Sequence, residues 1–173
     1  MVVEPEVEEI TEGDAEHVVV ENARRKARAG LAEAPAGAPV LGADTEVVLD
    51  GRVLGQAGGE EHARSHLKAL SARTHEVLTG VVVLGGGSEG EDVAERSGVA
   101  RSRVTFRELD EPTVRLYLDS GEWRGRAGAY AIQGLGSILI ERLEGDFSNV
   151  VGLPVPLLLD LAPEVTKFRV QGR

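Results

Sequence analysis

The chain has 173 residues, 42% of them apolar, and a formal charge of −10 at neutral pH. That length predicts one domain, and that apolar content supports a hydrophobic core rather than a disordered chain. The negative charge repels duplex nucleic acid and an aromatic content of 3% is too thin to stack single-stranded bases, so nucleic acid polymers are excluded as partners. The chain has no cysteine, which removes disulfides, thiol nucleophiles and thiolate zinc sites. Residues 1–17 are acidic and unlike a signal peptide, and no run of about 18 apolar residues exists to span a membrane. A soluble, cytoplasmic protein is expected.

In chain order, Asp14 caps a predicted helix running to about Ala29. Its apolar face is Val19, Ala23 and Ala27, and Gly30 is its expected stop. Ala34–Pro39 reads as a loop. Residues 40–49 read as a strand, and Asp50-Gly51 as a hairpin turn into "RVLG". A short helix is expected from about Glu60 to Ser71. The β-branched run Thr74–Leu84 reads as a strand, and Gly85–Asp92 as a loop. "SRVTFREL" alternates as a strand does. Asp110, Pro112 and Gly121 cap, start and stop a predicted helix. "SILIERLEG" reads as another strand, "LPVPLLLDLAP" as a closing helix, and the tail after Pro163 as loose. Strands and helices mix without strict alternation, which predicts a mixed sheet with helices on its faces.

"VLGADTEVVLDG" (Val40–Gly51) places an acid and a hydroxyl, Asp44 and Thr45, inside an apolar strand. An unpaired buried carboxylate costs on the order of several kcal/mol, so either a partner neutralises Asp44 or the strand opens onto a site. A plainer reading is a strand-end pair capping local backbone. Four other segments bear on the choice: Lys26 in "ARRKA", Arg73, Thr74 and His75 in "SARTHEVLTGV", Arg126 and Gln133 in "RAGAYAIQG", and the turn "NVVGLP". Cations and carboxylates at such junctions suit a polyphosphate and its metal. Taken singly, Lys26 and Arg73 read as solvated charges, His75 as a polar strand residue, and Gln133 as a turn amide satisfying backbone.

The order and spacing of "PVLGADTEVVLDGRVLG", "THEVLTGV", "VTFREL", "SG…RAGAYAIQG" and "GDFSNVVGLP" resemble the Maf family of nucleoside triphosphate pyrophosphatases, from about Val2 to Leu161. The resemblance implies an α/β, Maf/HAM1-like (ITPase-like) fold, with an elongated mixed sheet, flanking helices and a central nucleotide cleft. It implies hydrolysis of a nucleoside triphosphate to the monophosphate and pyrophosphate with a divalent metal, Mg or Mn. It also implies links to removal of non-standard nucleotides and to septum formation, and a homodimer as a further expected assembly.

Residue by residue, Asp44 matches the family's central acid, catalytic and metal-binding. Glu9 matches an early acid and is a second candidate metal ligand. Lys26, Arg73 and Arg126 are candidate phosphate contacts, and Arg126 stands where the family has lysine. Thr45 matches the dTTP/UTP type, and Gln133 matches a glutamine tied to base selection. The family's Ser-x-Ser-Pro-Arg-Arg loop and the strand before it have no counterpart here, so the chain reads as one domain over 1–173 lacking that segment. The family's Gly-Lys-Pro is Gly55-Gln56-Ala57. These departures keep a second reading open, a catalytically impaired nucleotide-binding or regulatory protein linked to division arrest.

Overall fold

The computed structural model describes residues 5–35, 37–85 and 94–163. Its helices are α1 (Ala15–Leu31), α2 (Glu60–Leu70), α3 (Glu111–Ser120), α4 (Phe147–Val151) and α5 (Val155–Leu161). Its strands are β1 (Val40–Leu49), β2 (Arg52–Leu54), β3 (Thr74–Leu84), β4 (Glu95–Phe106) and β5 (Ile140–Glu144). The strands form one sheet in the order β2-β1-β3-β4-β5. Every pairing among the described strands is antiparallel, where a mixed sheet was expected. The α/β class with helices against a central sheet stands. No helix among the described residues is long and apolar enough to cross a membrane.

Alternation along β1 divides the molecule. Gly42, Asp44 and Val48 face α1, whereas Val47 and Leu49 enter the larger core with α2, α3, Trp123 and Tyr130. α1 lies unusually close to the sheet. A Cβ on Gly42 would stand 2.1 Å from the Ala23 carbonyl oxygen, and one on Gly80 would stand 2.4 Å from that of Val19. Gly80 is also the cross-strand partner of Asp44. Small residues on both elements thus let a helix rest on the strand that carries the acid. Val19, Ala23 and Ala27 are fully buried at that contact, as their spacing predicts.

Several local signals hold. The Asp14 carboxylate accepts from the N–H of Glu16 and His17, the Asp110 carboxylate from Thr113, and Gly121 closes α3 in the left-handed region. Others shift. Gly30 does not stop α1, which continues through Leu31 because Leu31 packs with Val82 and Leu84. β4 begins earlier than alternation suggests, since it pairs along the whole of β3. "SILIERLEG" starts as a 3-10 turn (Gly134–Leu139) and only then becomes β5. The "NVVGLP" turn is preceded by a real helical turn, α4, capped by Asp146 and stopped by Gly152. Residues 86–92 of the expected loop and the tail after Pro163 lie outside the described residues.

His75, read from the sequence as a polar strand residue, lies in the core. It is 2% exposed, its Nε2 lies 2.8 Å from the Tyr130 hydroxyl, and Phe106 and Tyr130 meet its ring edge-on. Burial holds its pKa down to about 4. As pH falls below the ordinary histidine value of 6.5, the unfolded chain gains a proton that the folded chain declines until about pH 4, so stability falls across that window. His75→Gln is therefore expected to lower stability at pH 7.5 but to give a shallower decline between pH 6.5 and 4. Chemical denaturation at several pH values measures both, and parallel curves for parent and variant would contradict the assignment.

Candidate active site

A cleft of about 680 Å³ opens on the side of β1 away from α1 and reaches past the strand's edge to Lys26. Its walls include Ala43–Thr45 and Val47 of β1, Gln56 after the hairpin, Glu122, the segment from Gly125 to Gly134, and Val150–Gly152. β2 pairs only with Val47–Leu49, so among the described pairings the earlier part of β1 has an open edge. That edge is where the acid and the lysine become accessible.

Asp44 has partners, although it is only 8% exposed. Lys26 Nζ lies 2.5 Å from its Oδ1 and 2.6 Å from Glu9 Oε1. Asn22 Nδ2 donates to its Oδ2 at 3.2 Å. Asn22 and Lys26 sit one helical turn apart, so the same face of α1 supplies both contacts. Asn22 also accepts the Ile10 N–H at 2.8 Å and donates to the Ile10 carbonyl at 3.0 Å, which fixes the segment carrying Glu9. Burial pulls the Lys26 pKa down, but hydrogen bonds to Asp44 and Glu9 prevail and hold it above the usual value. The ammonium is thereby kept charged between two carboxylates.

Glu46 is the third acid here, and the sequence reading passed over it. It follows Asp44 by two positions on the same face of β1. Burial, then the charges of Asp44 and Glu9, push its carboxyl up to about 7, and its Oε2 is buried without a hydrogen bond. Its position as the only acid between Thr45 and an otherwise apolar strand end was the available signal.

On the opposite wall, Gln56 forms an isolated bridge with Ala127, placing it beside Arg126. The Gly128 N–H donates to the Leu54 carbonyl at 2.6 Å, and the Ala131 N–H donates to the Tyr117 hydroxyl at 3.0 Å. Glu122 accepts the N–H groups of Leu135 and Gly136 at 3.0 and 3.1 Å, bracing the turn that presents Gln133. Arg126 and Gln133 are exposed on this wall.

Of the sequence-predicted residues, Lys26, Asp44, Thr45, Arg126 and Gln133 line the cleft, and Glu9 joins them through Lys26. Arg73 does not. Its Nη2 holds Asp50 at 2.6 and 2.7 Å at the hairpin end of the sheet, a surface pairing outside the cleft lining. The strand mouth that made Arg73 attractive is the far end of β3. Asn22 and Thr79 went unnoticed as site residues, and Asn149 entered only as the first residue of the "NVVGLP" turn. Asn22 left a trace in the sequence, a neutral amide between Val19 and Ala23 on an apolar helix face.

Residues 1–165 match the family model described as Maf-like protein. The dTTP/UTP pyrophosphatase of Deinococcus radiodurans is 43% identical over 161 residues, 93% of this chain and 79% of that one. The dTTP/UTP pyrophosphatase of Caldanaerobacter subterraneus is 39% identical over 173 residues, 99% of this chain and 82% of that one. That of Pyrococcus furiosus is 43% identical over 122 residues, 70% of this chain, and the chain spans 61% of its length. Matching along almost its whole length, with the acid, lysine and glutamine of the motifs gathered at one cleft, the chain belongs to the Maf-like protein family.

Proposed function

We propose that this chain is a nucleoside triphosphate pyrophosphatase, cleaving dTTP and UTP to the monophosphate and pyrophosphate. The observation that carries the reading is the Asp44–Lys26–Glu9 arrangement opening onto a cleft large enough for a nucleotide. Water attacks the α-phosphorus in line with the departing pyrophosphate. Asp44 orients and deprotonates that water, which needs an ionised carboxylate in a fixed direction. Lys26 and Asn22 hold it in that direction from one face of α1. Lys26 and, across the cleft, Arg126 offer positive charge to the phosphates. A cytoplasmic setting, where nucleoside triphosphates are made and consumed, fits this reading.

The charged side chains lining the cleft are Lys26 and Arg126 against Asp44 and Glu122, so they cancel. A triphosphate entering such a cleft needs further positive charge. Oxygen donors suit a hard cation such as Mg or Mn, which commonly takes one or two carboxylates and completes its shell with phosphates and water. Glu9 and Asp44 fit that role, since both reach the same Lys26 ammonium. When bound, the metal would neutralise charge on the departing pyrophosphate.

Three outcomes are expected. With dTTP or UTP and magnesium, the protein should release pyrophosphate, and in ¹⁸O-labelled water the label should enter the monophosphate. Label in pyrophosphate, or release of orthophosphate alone, would contradict attack at the α-phosphorus. Asp44→Asn should lower turnover by about 10²–10⁴-fold, the usual contribution of a general base, while circular dichroism shows an intact fold. Unfolding of that variant would make Asp44 structural.

Gln56→Lys should raise kcat/KM by about 10-fold, the effect of one added hydrogen bond to a charged group. Gln56 is exposed on the cleft wall beside Arg126, so the new ammonium meets little steric cost. The gain should shrink as salt rises. Gln56→Met is the size control, and equal behaviour of the two variants would place position 56 away from the phosphates.

A further inference from the structure

Beneath the cleft floor lies a buried chain of hydroxyls and amides that the proposed reaction does not use. Thr45 Oγ1 lies 2.8 Å from Thr79 Oγ1, and Thr79 Oγ1 lies 3.0 Å from the backbone carbonyl of Asn149. Thr79 and Asn149 are both fully buried. The Asn149 side chain donates onward to the Val77 carbonyl at 3.0 Å and to Ser102 Oγ at 2.9 Å. Ser102 in turn donates to the Asp146 carbonyl at 3.0 Å and accepts its N–H at 3.0 Å.

Proton accounting fixes the direction of this chain. A backbone carbonyl only accepts, so the single Thr79 hydroxyl proton goes to Asn149. In its bond with Thr45, Thr79 is therefore the acceptor and Thr45 the donor. The Thr45 proton is spent inside the protein, and towards the cleft Thr45 offers lone pairs alone. It is unsuited to a phosphate oxygen, which requires a donor. It suits an N–H or O–H on the nucleoside. The cleft that Thr45 faces is lined in part by Val47, Val77, Tyr130, Ile132 and Val150, apolar surfaces that suit a flat base more than a solvated sugar.

We propose that Thr79 is a specificity-determining positioning residue: by holding the Thr45 hydroxyl as an acceptor, it makes the cleft select bases that present an imide N–H, as uracil and thymine do at N3. Cytosine carries a lone pair at that position, so it would set acceptor against acceptor. Guanine presents an N–H of its own, so cytosine and N3-methyluracil are the diagnostic comparators. This inference rests on the nucleotide reading above and adds the feature of the base that is recognised.

The test is direct binding, by titration calorimetry, of uridine, N3-methyluridine, cytidine and 2′,3′-dideoxyuridine monophosphates. The parent is expected to favour uridine monophosphate over the N3-methyl and cytidine compounds by about 10-fold, the effect of one hydrogen bond made or blocked in a desolvated site. Thr79→Val keeps the shape but removes the acceptor, so the preference should fall below about 3-fold. Thr79→Ser restores the hydroxyl and should keep it. Equal binding of the uridine and N3-methyl compounds by the parent, full preference in Thr79→Val, or lost preference in Thr79→Ser would each overturn the inference. So would a Thr79-dependent loss seen only with the dideoxy compound, which would place Thr45 on the ribose. If Thr79→Val does not fold, Thr45→Val takes its place, and retained preference in that variant overturns the inference equally. Pyrophosphate release from UTP, measured in parallel, tests the reaction separately. Base-selective binding without release would refute the reaction and leave the inference standing, whereas no nucleotide binding at all would refute both.

Discussion

The molecule is organised around one ammonium group. Lys26 lies between the carboxylates of Glu9 and Asp44, bringing together α1, β1 and the segment before the helix. The contact exists because the helix can come close enough. Gly42 and Gly80 leave no side chain where the Ala23 and Val19 carbonyls pass, and a Cβ at either site would collide with backbone. Such a pair does not make a fold stable in the ordinary way. Removing charges from water costs several kcal/mol per ion, and the mutual attraction returns this only with good geometry and further hydrogen bonds. Asn22 provides one of those bonds to Asp44, and Glu9 is half-open to water. The arrangement holds a charged acid at a strand edge in a fixed orientation, which is what general-base chemistry needs and what a hydrophobic pair could not give.

The cleft takes its shape from two separate braces. On one side, the buried chain from Thr45 through Thr79 and Asn149 to Ser102 ties α4 to β3 and β4, and so places Val150–Gly152 along the cleft wall. On the other, Tyr117, Glu122 and the Leu54 carbonyl hold the backbone of residues 128–136. Gly128 and Gly134 adopt positive φ there, and a Cβ at Gly134 would lie 2.7 Å from Glu122. Neither brace uses the charged groups of the Lys26 cluster. Cleft shape and the charge of the Lys26 cluster are therefore set by different parts of the sequence, so the proposed base selection and the proposed hydrolysis can be altered independently.

What the sequence made legible was local. Asp14 and Asp110 announced helix starts, Val19, Ala23 and Ala27 the buried face of α1, and Asp44 a polar anomaly in an apolar strand. The family resemblance then gathered Lys26, Arg126 and Gln133 at one place. What stayed hidden was set by pairing across the sheet. Arg73 sits close in sequence to the buried His75, yet its partner is Asp50 across the hairpin end. Thr79 looks like any β-branched strand residue until the register sets it opposite Thr45. α4 carried a cap at Asp146 and a stop at Gly152, the same signals as α3, but five residues are too few for helical periodicity to show. Gly30 misled because a stop signal in the sequence was outweighed by the packing of Leu31.

The central claim is that the Lys26–Asp44 pair is kept for chemistry and not for the fold. A double-mutant cycle tests it directly, with stability from urea denaturation and pyrophosphate release measured on the same preparations of the parent, Lys26→Met, Asp44→Asn and the double variant. Lys26→Met alone leaves a buried carboxylate with its cation removed and should be the least stable of the four. The double variant should recover to within about 1 kcal/mol of the parent, because neither charge remains to be solvated, and its pyrophosphate release should stay no higher than that of Asp44→Asn. Turnover in the double variant approaching that of the parent, or stability below that of both single variants, would contradict the account.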